Sequence, residues 1–222
     1  MKRPKAAGRE KTTRDPVDLP RVLDEPDDAA ALFDVPSVEL EDLAVRGLRR
    51  EDGSFRRLEA ISTLFESVSF ARTSFQTAEW RDVRFARCDL ANVSIRAVSG
   101  IRVELVECRM TGVNWAELDL QSLLISGGDQ RFAQFRFGQF HRCEFDNCDF
   151  EDADFYNADL RGCIFRRCNL KNAEMNGAKL AGTDLRGSIL DGIKLTAADV
   201  SGAIVDAAQA LSLVPLLGVR IE

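Results

Sequence analysis

Six cysteines and a single histidine are the residues of this chain with the clearest potential for chemistry. Four of the cysteines could be drawn as two pairs of zinc ligands, but they are spaced by five, whereas zinc knuckles separate their ligands by two to four residues. All six occupy positions that the repeat described below turns inward, where free cysteine behaves as a small apolar residue. They are Cys88, Cys108, Cys143, Cys148, Cys163 and Cys168. We predict buried, reduced thiols and no metal or cofactor, with zinc binding and disulfides as the alternatives.

Catalytic chemistry has little support in this sequence. The only histidine, His141, lies at an outward position between Phe140 and Arg142. There is no glycine-rich phosphate loop, no nucleophile elbow and no second histidine for a metal. General acid–base work needs groups perturbed by burial, and the many carboxylates of this chain belong to a regular outward surface. We therefore expect a protein that is not an enzyme.

Charge is the one surface property that is distributed unevenly along the chain. The chain has a formal net charge of −6. Seven acids fall within residues 144–159, with no base among them: Glu144, Asp146, Asp149, Glu151, Asp152, Asp154 and Asp159. This acidic band has two interpretations, a solubilising surface or a candidate partner-binding surface.

A period of five residues organises the chain that carries these groups. From Phe55 to Val205 every fifth residue is apolar and usually large; only Ala60, Gly100 and Gln130 lack a large apolar side chain. We call these positions the large column. The residue two places earlier is small or β-branched, and we call those positions the small column. Neither column contains a charge, so both must face inward, because an unpaired charge is costly to bury.

This period fits a chain that turns a corner every five residues. A helix requires apolar spacings of three and four, and a strand requires two. Within each five, the two inward positions alternate as in a strand. Four sides give a coil of 20 residues, and successive coils stack at the ordinary strand spacing of about 4.8 Å. The pattern predicts an all-β solenoid of about eight coils, each contacting only its neighbours.

The stretch CDFEDADFYNADLRGCIFRRCNLKNAEMNGAKLAGTDLRG at 148–187 reads as tandem A(D/N)LXX motifs. The chain thereby resembles the pentapeptide repeat protein family. The resemblance implies a right-handed quadrilateral β-helix. It also implies a DNA-mimicking role as an alternative, because some members bind DNA gyrase or topoisomerase IV and confer fluoroquinolone tolerance. The unbroken register is similar to the loop-free, actinobacterial kind.

The two ends depart from the repeat. Residues 1–36 combine five prolines with 7 basic and 8 acidic residues, and we predict a disordered charged tail. The solenoid is predicted over 37–206, with a damaged first coil in which Arg50 replaces a large apolar residue. At Gln130, beside Gly127 and Gly128, we predict a local bulge with a satisfied amide, with a binding notch as the alternative.

Residues 207–222 are predicted to form the third segment, a short helical cap. Asp206 and Gln209 have the spacing of a capping box. The apolar residues that follow are candidates for covering the last coil, for pairing two molecules, or for both: Leu211, Leu213, Val214, Leu216 and Leu217. The resemblance supports the pairing, because some family members dimerise through a C-terminal helix.

The most economical function is a protein-interaction scaffold with an unidentified partner. The sequence contains neither a signal-peptide core nor an apolar run long enough to cross a membrane, so we expect a cytoplasmic protein. We expect no direct contact with nucleic acid. DNA gyrase or topoisomerase IV is the partner in the alternative hypothesis of a DNA mimic.

Overall fold

The computed structural model describes residues 14–217. Every pairing between strands is parallel, and partners are 20 residues apart in β3–β4 and β4–β5. The strands are β1 (Ser37–Glu41), β2 (Ala44–Arg46), β3 (Ser54–Glu66), β4 (Ser74–Ala86), β5 (Ser94–Val106), β6 (Asn114–Trp115), β7 (Leu118–Ser126), β8 (Gln139–His141), β9 (Glu144–Asp146) and β10 (Ile164–Arg166). The predicted β-solenoid is confirmed.

Regular strands wind through about six turns along the path β1-β3-β4-β5-β7-β9-β10. Single-residue bridges then continue the register, as between Asn169 and Ile189 and between Asp184 and Ile204. Extended pairing thus covers fewer turns than the predicted eight coils. The reason lies in composition: the C-terminal repeats are rich in Asp, Asn and Gly, which favour tight turns over strands.

The residues at the corners of the coil adopt the left-handed backbone conformation, with positive φ. The residue before each small-column position adopts a positive φ through most of the solenoid, whether it is Asn92 (56°), Gly112 (66°) or Arg142 (55°). Glycine and asparagine adopt this conformation most readily. This recurring corner is what allows a strand-like chain to change direction every five residues.

The large column forms the core. Phe65 stacks on Phe85 with ring centroids 4.7 Å apart, and Phe145 stacks on Phe165 at 4.4 Å. Two exceptions to the column, Ala60 and Gly100, lie directly below and above Trp80 in the register. The indole therefore occupies the space that they leave.

The small column does more than fill space. Its thiols and hydroxyls donate to a backbone carbonyl 23 residues earlier: Cys88 Sγ to Phe65 O (3.4 Å), Thr183 Oγ1 to Leu160 O (2.7 Å) and Ser188 Oγ to Phe165 O (3.2 Å). Such bonds satisfy carbonyl groups that are buried at the corners.

The prediction of a disordered tail over 1–36 is wrong for residues 14–36; residues 1–13 lie outside the described part. A 3-10 helix at Ala31–Phe33 places Phe33 on the first coil, 1% exposed, with its ring 5.2 Å from that of Phe70. Arg50 donates to Phe33 O (2.8 Å) and to Asp34. Phe33 thus supplies the large apolar side chain that the first coil lacks at Arg50.

Residues 14–18 lie against the side of the solenoid. Arg14 forms an ion pair of 2.8 Å with Glu104, whose side chain is 4% exposed. Asp18 N donates to Asp82 (3.0 Å), and Asp15 pairs with Arg142 (3.0 Å). This N-terminal strap, residues 14–18, ties three separate coils together.

The C-terminal end carries the predicted cap. Helix α1 (Ala207–Leu213) begins with a capping box in which Asp206 and Gln209 bond reciprocally, and a 3-10 helix follows at Val214–Leu217. Gln209 also donates to Leu185 O (2.6 Å) and Ser188 O (2.7 Å) of the last coils. Within residues 14–217, no helix has the length and apolar character needed to span a membrane.

Candidate interaction surface

The cysteines are packing residues in this structure. All six are free and buried. Burial raises the pKa of the Cys143 and Cys148 thiols, since a thiolate would lose its solvation. Over the described chain, no three His, Cys, Asp or Glu side chains are grouped so as to hold a metal ion.

His141 lies on the surface, where its Nε2 is 3.6 Å from Asp119 Oδ1. Gln130 is fully buried, and its amide is satisfied: Nε2 donates to Gly127 O (2.8 Å) and Oε1 accepts from Asp149 N (3.1 Å). The register passes through this coil unchanged, from Arg109 to Asp129 to Asp149. These contacts agree with a satisfied amide and not with a binding notch.

The acidic band does not form one stripe. Asp149, Asp154 and Asp159 each follow the previous one by a full side of the coil, so the seven acids are spread around the rod. Six of them meet a base. The pairs are Glu144–Arg166, Asp146–Arg167, Asp149–Arg131, Glu151–Lys171, Asp154–Arg136 and Asp159–Arg161. Much of this negative charge is therefore neutralised locally.

Some of the apolar residues predicted to form the C-terminal cap pack against the core, and others are exposed. Leu213 and Leu216 pack against the core, whereas Leu211 is 60% exposed. Val214 is half-buried, and the side chain of Leu217 lies outside the described residues. A cleft of about 230 Å³ remains beside the cap, lined by apolar residues that include Val200, Val205 and Leu213.

A group of aromatic residues, which the sequence analysis did not identify, spans two neighbouring coils. Phe132 and Phe137 are 54% and 57% exposed, and both occupy left-handed corners, with φ of 59° and 60°. The Phe137 ring meets that of Tyr156 edge-on at 5.7 Å, and the guanidinium of Arg136 lies 4.9 Å above the Tyr156 ring. We call these four residues the aromatic corner.

A recess of about 770 Å³ opens beside the aromatic corner. Asn114, Glu117, Gln134 and Phe137 contribute to its walls. It lies where β6 ends at Trp115 and β7 begins at Leu118, so the strand of this coil is interrupted. Glu117, in that interruption, has a positive φ of 44°. The break thus forms a concave wall on an otherwise flat side.

On the same side of the solenoid, two outward rows carry arginines and no carboxylate over five coils, and Glu117 lies at the corner that borders them. We call these two rows the arginine face. One row is Ser54, Ser74, Ser94, Asn114 and Gln134, and the other is Arg56, Gln76, Arg96, Ala116 and Arg136. Elsewhere most described bases pair with an acid, but Arg56 and Arg96 make no side-chain hydrogen bond or ion pair within residues 14–217.

The sequence did contain a signal for the aromatic corner. Eleven of the 14 phenylalanines lie in the large column, and Phe132 and Phe137 are two of the three that do not. The third is Phe33, which fills the first coil. A bulky aromatic residue outside the column is therefore either a replacement core residue or an exposed one, and only the structure separates the two.

Comparison with known proteins identifies the repeat. The sequence profile described as "Pentapeptide repeat region" matches residues 138–207. No curated protein matches the chain.

Solved structures similar to the chain share low identity with it. Full-length QnrB1, a plasmid-mediated fluoroquinolone resistance protein, is 19% identical, with a TM-score of 0.43, over 82% of this chain and 100% of that one. HetL, involved in heterocyst differentiation regulation in the cyanobacterium Nostoc sp. strain PCC 7120, is 14% identical, with a TM-score of 0.31, over 75% and 87%. Rfr23 from the cyanobacterium Cyanothece 51142 is 14% identical, with a TM-score of 0.25, over 73% and 91%.

Proposed function

We propose that this chain is a protein-binding scaffold of the pentapeptide repeat type without enzymatic activity. The observation that carries the proposal is the aromatic corner. Phe137 and Arg136 line a recess and pack against Tyr156, Phe132 lies at the preceding corner of the same coil, and both phenylalanines are more than half exposed. Aromatic residues and arginine are enriched in protein interfaces and dominate their binding energy.

Backbone conformation strengthens this proposal. A bulky side chain is less favourable than glycine or asparagine at a left-handed corner, and equivalent corners of this solenoid hold Gly112 and Asn157 as well as long charged side chains such as that of Arg142. Phe132 and Phe137 therefore give the fold nothing that glycine or asparagine would not give better.

Affinity capture with matched variants tests the scaffold. The intact chain, a Phe132→Asn/Phe137→Asn variant and an Ile189→Asn/Ile204→Asn control are used as baits in the same extract. The control removes two exposed apolar side chains far from the aromatic corner, which are 52% and 44% exposed. We expect the intact chain and the control to retain the same proteins and the aromatic variant to lose them. Equal retention by all three baits would contradict the proposal.

DNA mimicry is the alternative, and the charges favour the scaffold over it. A mimic of DNA needs a continuous row of unneutralised negative charge, but six of the seven acids in the acidic band meet a base. We expect DNA gyrase to supercoil plasmid at an unchanged rate when this protein is added in excess. Inhibition would support a gyrase or topoisomerase IV partner instead.

A homodimer through the cap is a second part of the proposal. Leu211 projects from α1 with 60% exposure beside the apolar cleft that includes Val200 and Leu213, and exposed apolar patches commonly mark interfaces. Sedimentation should give a dimer for the intact chain and a monomer for Leu211→Glu. A monomeric intact chain at tens of micromolar would restrict this segment to capping.

The free thiols fit the reducing cytoplasm, where we place the protein.

A further inference from the structure

The arginine face is an unbalanced strip of positive charge on a protein of net charge −6. Arg56 and Arg96 are exposed and lack a carboxylate partner within the described chain. Arg136, the third arginine, lies 3.5 Å from Asp154 and stacks over Tyr156. Of the other described bases without an ion pair, Arg81 lies on another side, whereas Lys194 continues the row of Gln134 three coils further on, beyond Asp154 and Glu174. This face is therefore complementary to a carboxylate-bearing ligand.

The arginines are regularly spaced. They are 40 residues apart along the chain, which is two coils, or about 9.6 Å along the solenoid at the usual strand spacing. A polyproline II segment rises about 3.1 Å per residue with three residues per turn, so every third side chain points the same way about 9.3 Å apart. A β-strand does not fit equally well, because its side chains at i and i+3 point to opposite faces.

We propose that the arginine face binds a polyproline II segment of a partner protein that carries an acidic residue at every third position and ends in an aromatic one. Carboxylates at positions i and i+3 pair with Arg56 and Arg96, and the side chain at i+6 enters the recess beside Phe137. This inference rests on the proposed scaffold function and specifies the chemistry of its partner.

Single-stranded nucleic acid is the competing ligand, since arginine and aromatic residues also bind bases and phosphates. Two features of the structure favour the peptide. Nucleic-acid affinity grows with the number of phosphates neutralised, and only two arginines of this face are unpaired. Glu117, exposed in the wall of the recess, would repel a phosphate chain there.

Fluorescence anisotropy tests the inference with the full chain. The probe is a labelled Glu-Pro-Pro-Glu-Pro-Pro-Trp peptide, and the control peptide, Glu-Glu-Pro-Pro-Pro-Pro-Trp, has the same composition with adjacent acids. We expect the intact chain to bind the probe more tightly than the control peptide. The affinity for the probe should fall about tenfold in the Arg56→Gln/Arg96→Gln variant, as the loss of two exposed charge pairs would give. High salt should weaken binding too, because it screens such pairs.

Arg81→Gln is the matched protein control, since Arg81 is also exposed and unpaired but lies on another side. Equal binding of the two peptides, or equal weakening by Arg81→Gln, would overturn the inference. Tighter binding of a single-stranded oligonucleotide than of the probe would overturn it in favour of nucleic acid. If the probe peptide does not bind while affinity capture of proteins from the extract still depends on Phe132 and Phe137, the peptide inference is wrong and the scaffold function stands. If affinity capture is also independent of Phe132 and Phe137, the inference and the scaffold function are both wrong.

Discussion

At the scale of single residues, a side chain in this solenoid is constrained chiefly by its place in the period of five. Phe135 and Phe137 show the contrast: the first lies in the large column and is 1% exposed, and the second lies at a corner and is 57% exposed. The same side chain is a core residue at one position and a strained surface residue two places later.

The exposed phenylalanines should be dispensable for folding. We expect Phe132→Asn to raise the free energy of unfolding by about 0.5 kcal/mol, because asparagine tolerates the left-handed corner better. Phe135→Asn is the control, and we expect it to lower the free energy of unfolding by about 3–5 kcal/mol, as Phe→Ala does in cores, because it removes a core ring. Urea denaturation followed by tryptophan fluorescence measures both. A Phe132→Asn variant as unstable as Phe135→Asn would mean that Phe132 is structural.

The thiols should be inert in the folded protein. Burial raises the pKa of Cys143 and Cys148, so the reactive thiolate is scarce at pH 8. A thiol reagent should label the native protein slowly and label all six cysteines at once in guanidinium. Rapid labelling before denaturant is added would contradict the buried small column.

At the scale of elements, stability comes from contacts between coils and from the segments that cover the two ends. The N-terminal strap and Phe33 illustrate the second source: Arg14 reaches Glu104 and Phe33 reaches Phe70 across long distances in sequence. Burial opposes ionisation of Glu104, but Arg84 and Arg14 still hold its pKa below the ordinary value.

Removal of the strap contact should be measurable. We expect Arg14→Met to lower the free energy of unfolding by about 1–2 kcal/mol, less than the full effect of breaking a buried pair because Arg84 still meets Glu104. Arg21→Met, an exposed base without an ion pair in the described chain, should change it by less than about 0.5 kcal/mol. If the two substitutions changed the free energy of unfolding by similar amounts, the contact of the strap with Glu104 would not stabilise the solenoid.

Ion pairs within and between coils should make stability sensitive to acid. Hydrogen bonds from Arg131 lower the pKa of Asp129 to about 2. A folded-state pKa below the ordinary value near 3.8 stabilises the protein above about pH 4, and this contribution disappears as the pH falls toward 2. We expect Asp129→Asn to reduce the acid-induced loss of stability by about 1 kcal/mol, after allowance for solvent screening. Asp27→Asn, at an exposed acid, is the control; an equal effect there would exclude a specific role for the Arg131 pair.

The sequence was enough to predict the solenoid, the buried cysteines and the capping box at Asp206 and Gln209, because each follows from local spacing. It was not enough to place Phe33, whose role depends on the gap left by Arg50 in a later part of the chain. The acidic band appeared unbroken because the bases that neutralise it come mostly from neighbouring coils. Phe132 and Phe137 become informative only once the left-handed corners are known.

At the scale of the whole molecule, the solenoid is a rigid support whose sides differ in chemistry. The arginine face and the aromatic corner lie together on one side, the carboxylates of the acidic band are mostly paired around the others, and α1 covers one end. A repeat fold of this kind presents long flat surfaces to partners. The central claim is that one side is the binding side.

Site-specific photocrosslinking tests that claim most directly. A photoreactive amino acid replaces, one at a time, three exposed residues on different sides of the central coils: Gln134 on the arginine face, His141 and Lys171. Each full-length variant is irradiated in the same extract, and the crosslinked products are compared by mass. The account predicts a distinct crosslinked partner from position 134 that is absent or much weaker from 141 and 171. Equal products from all three positions, or a partner seen only from 141 or 171, would contradict it.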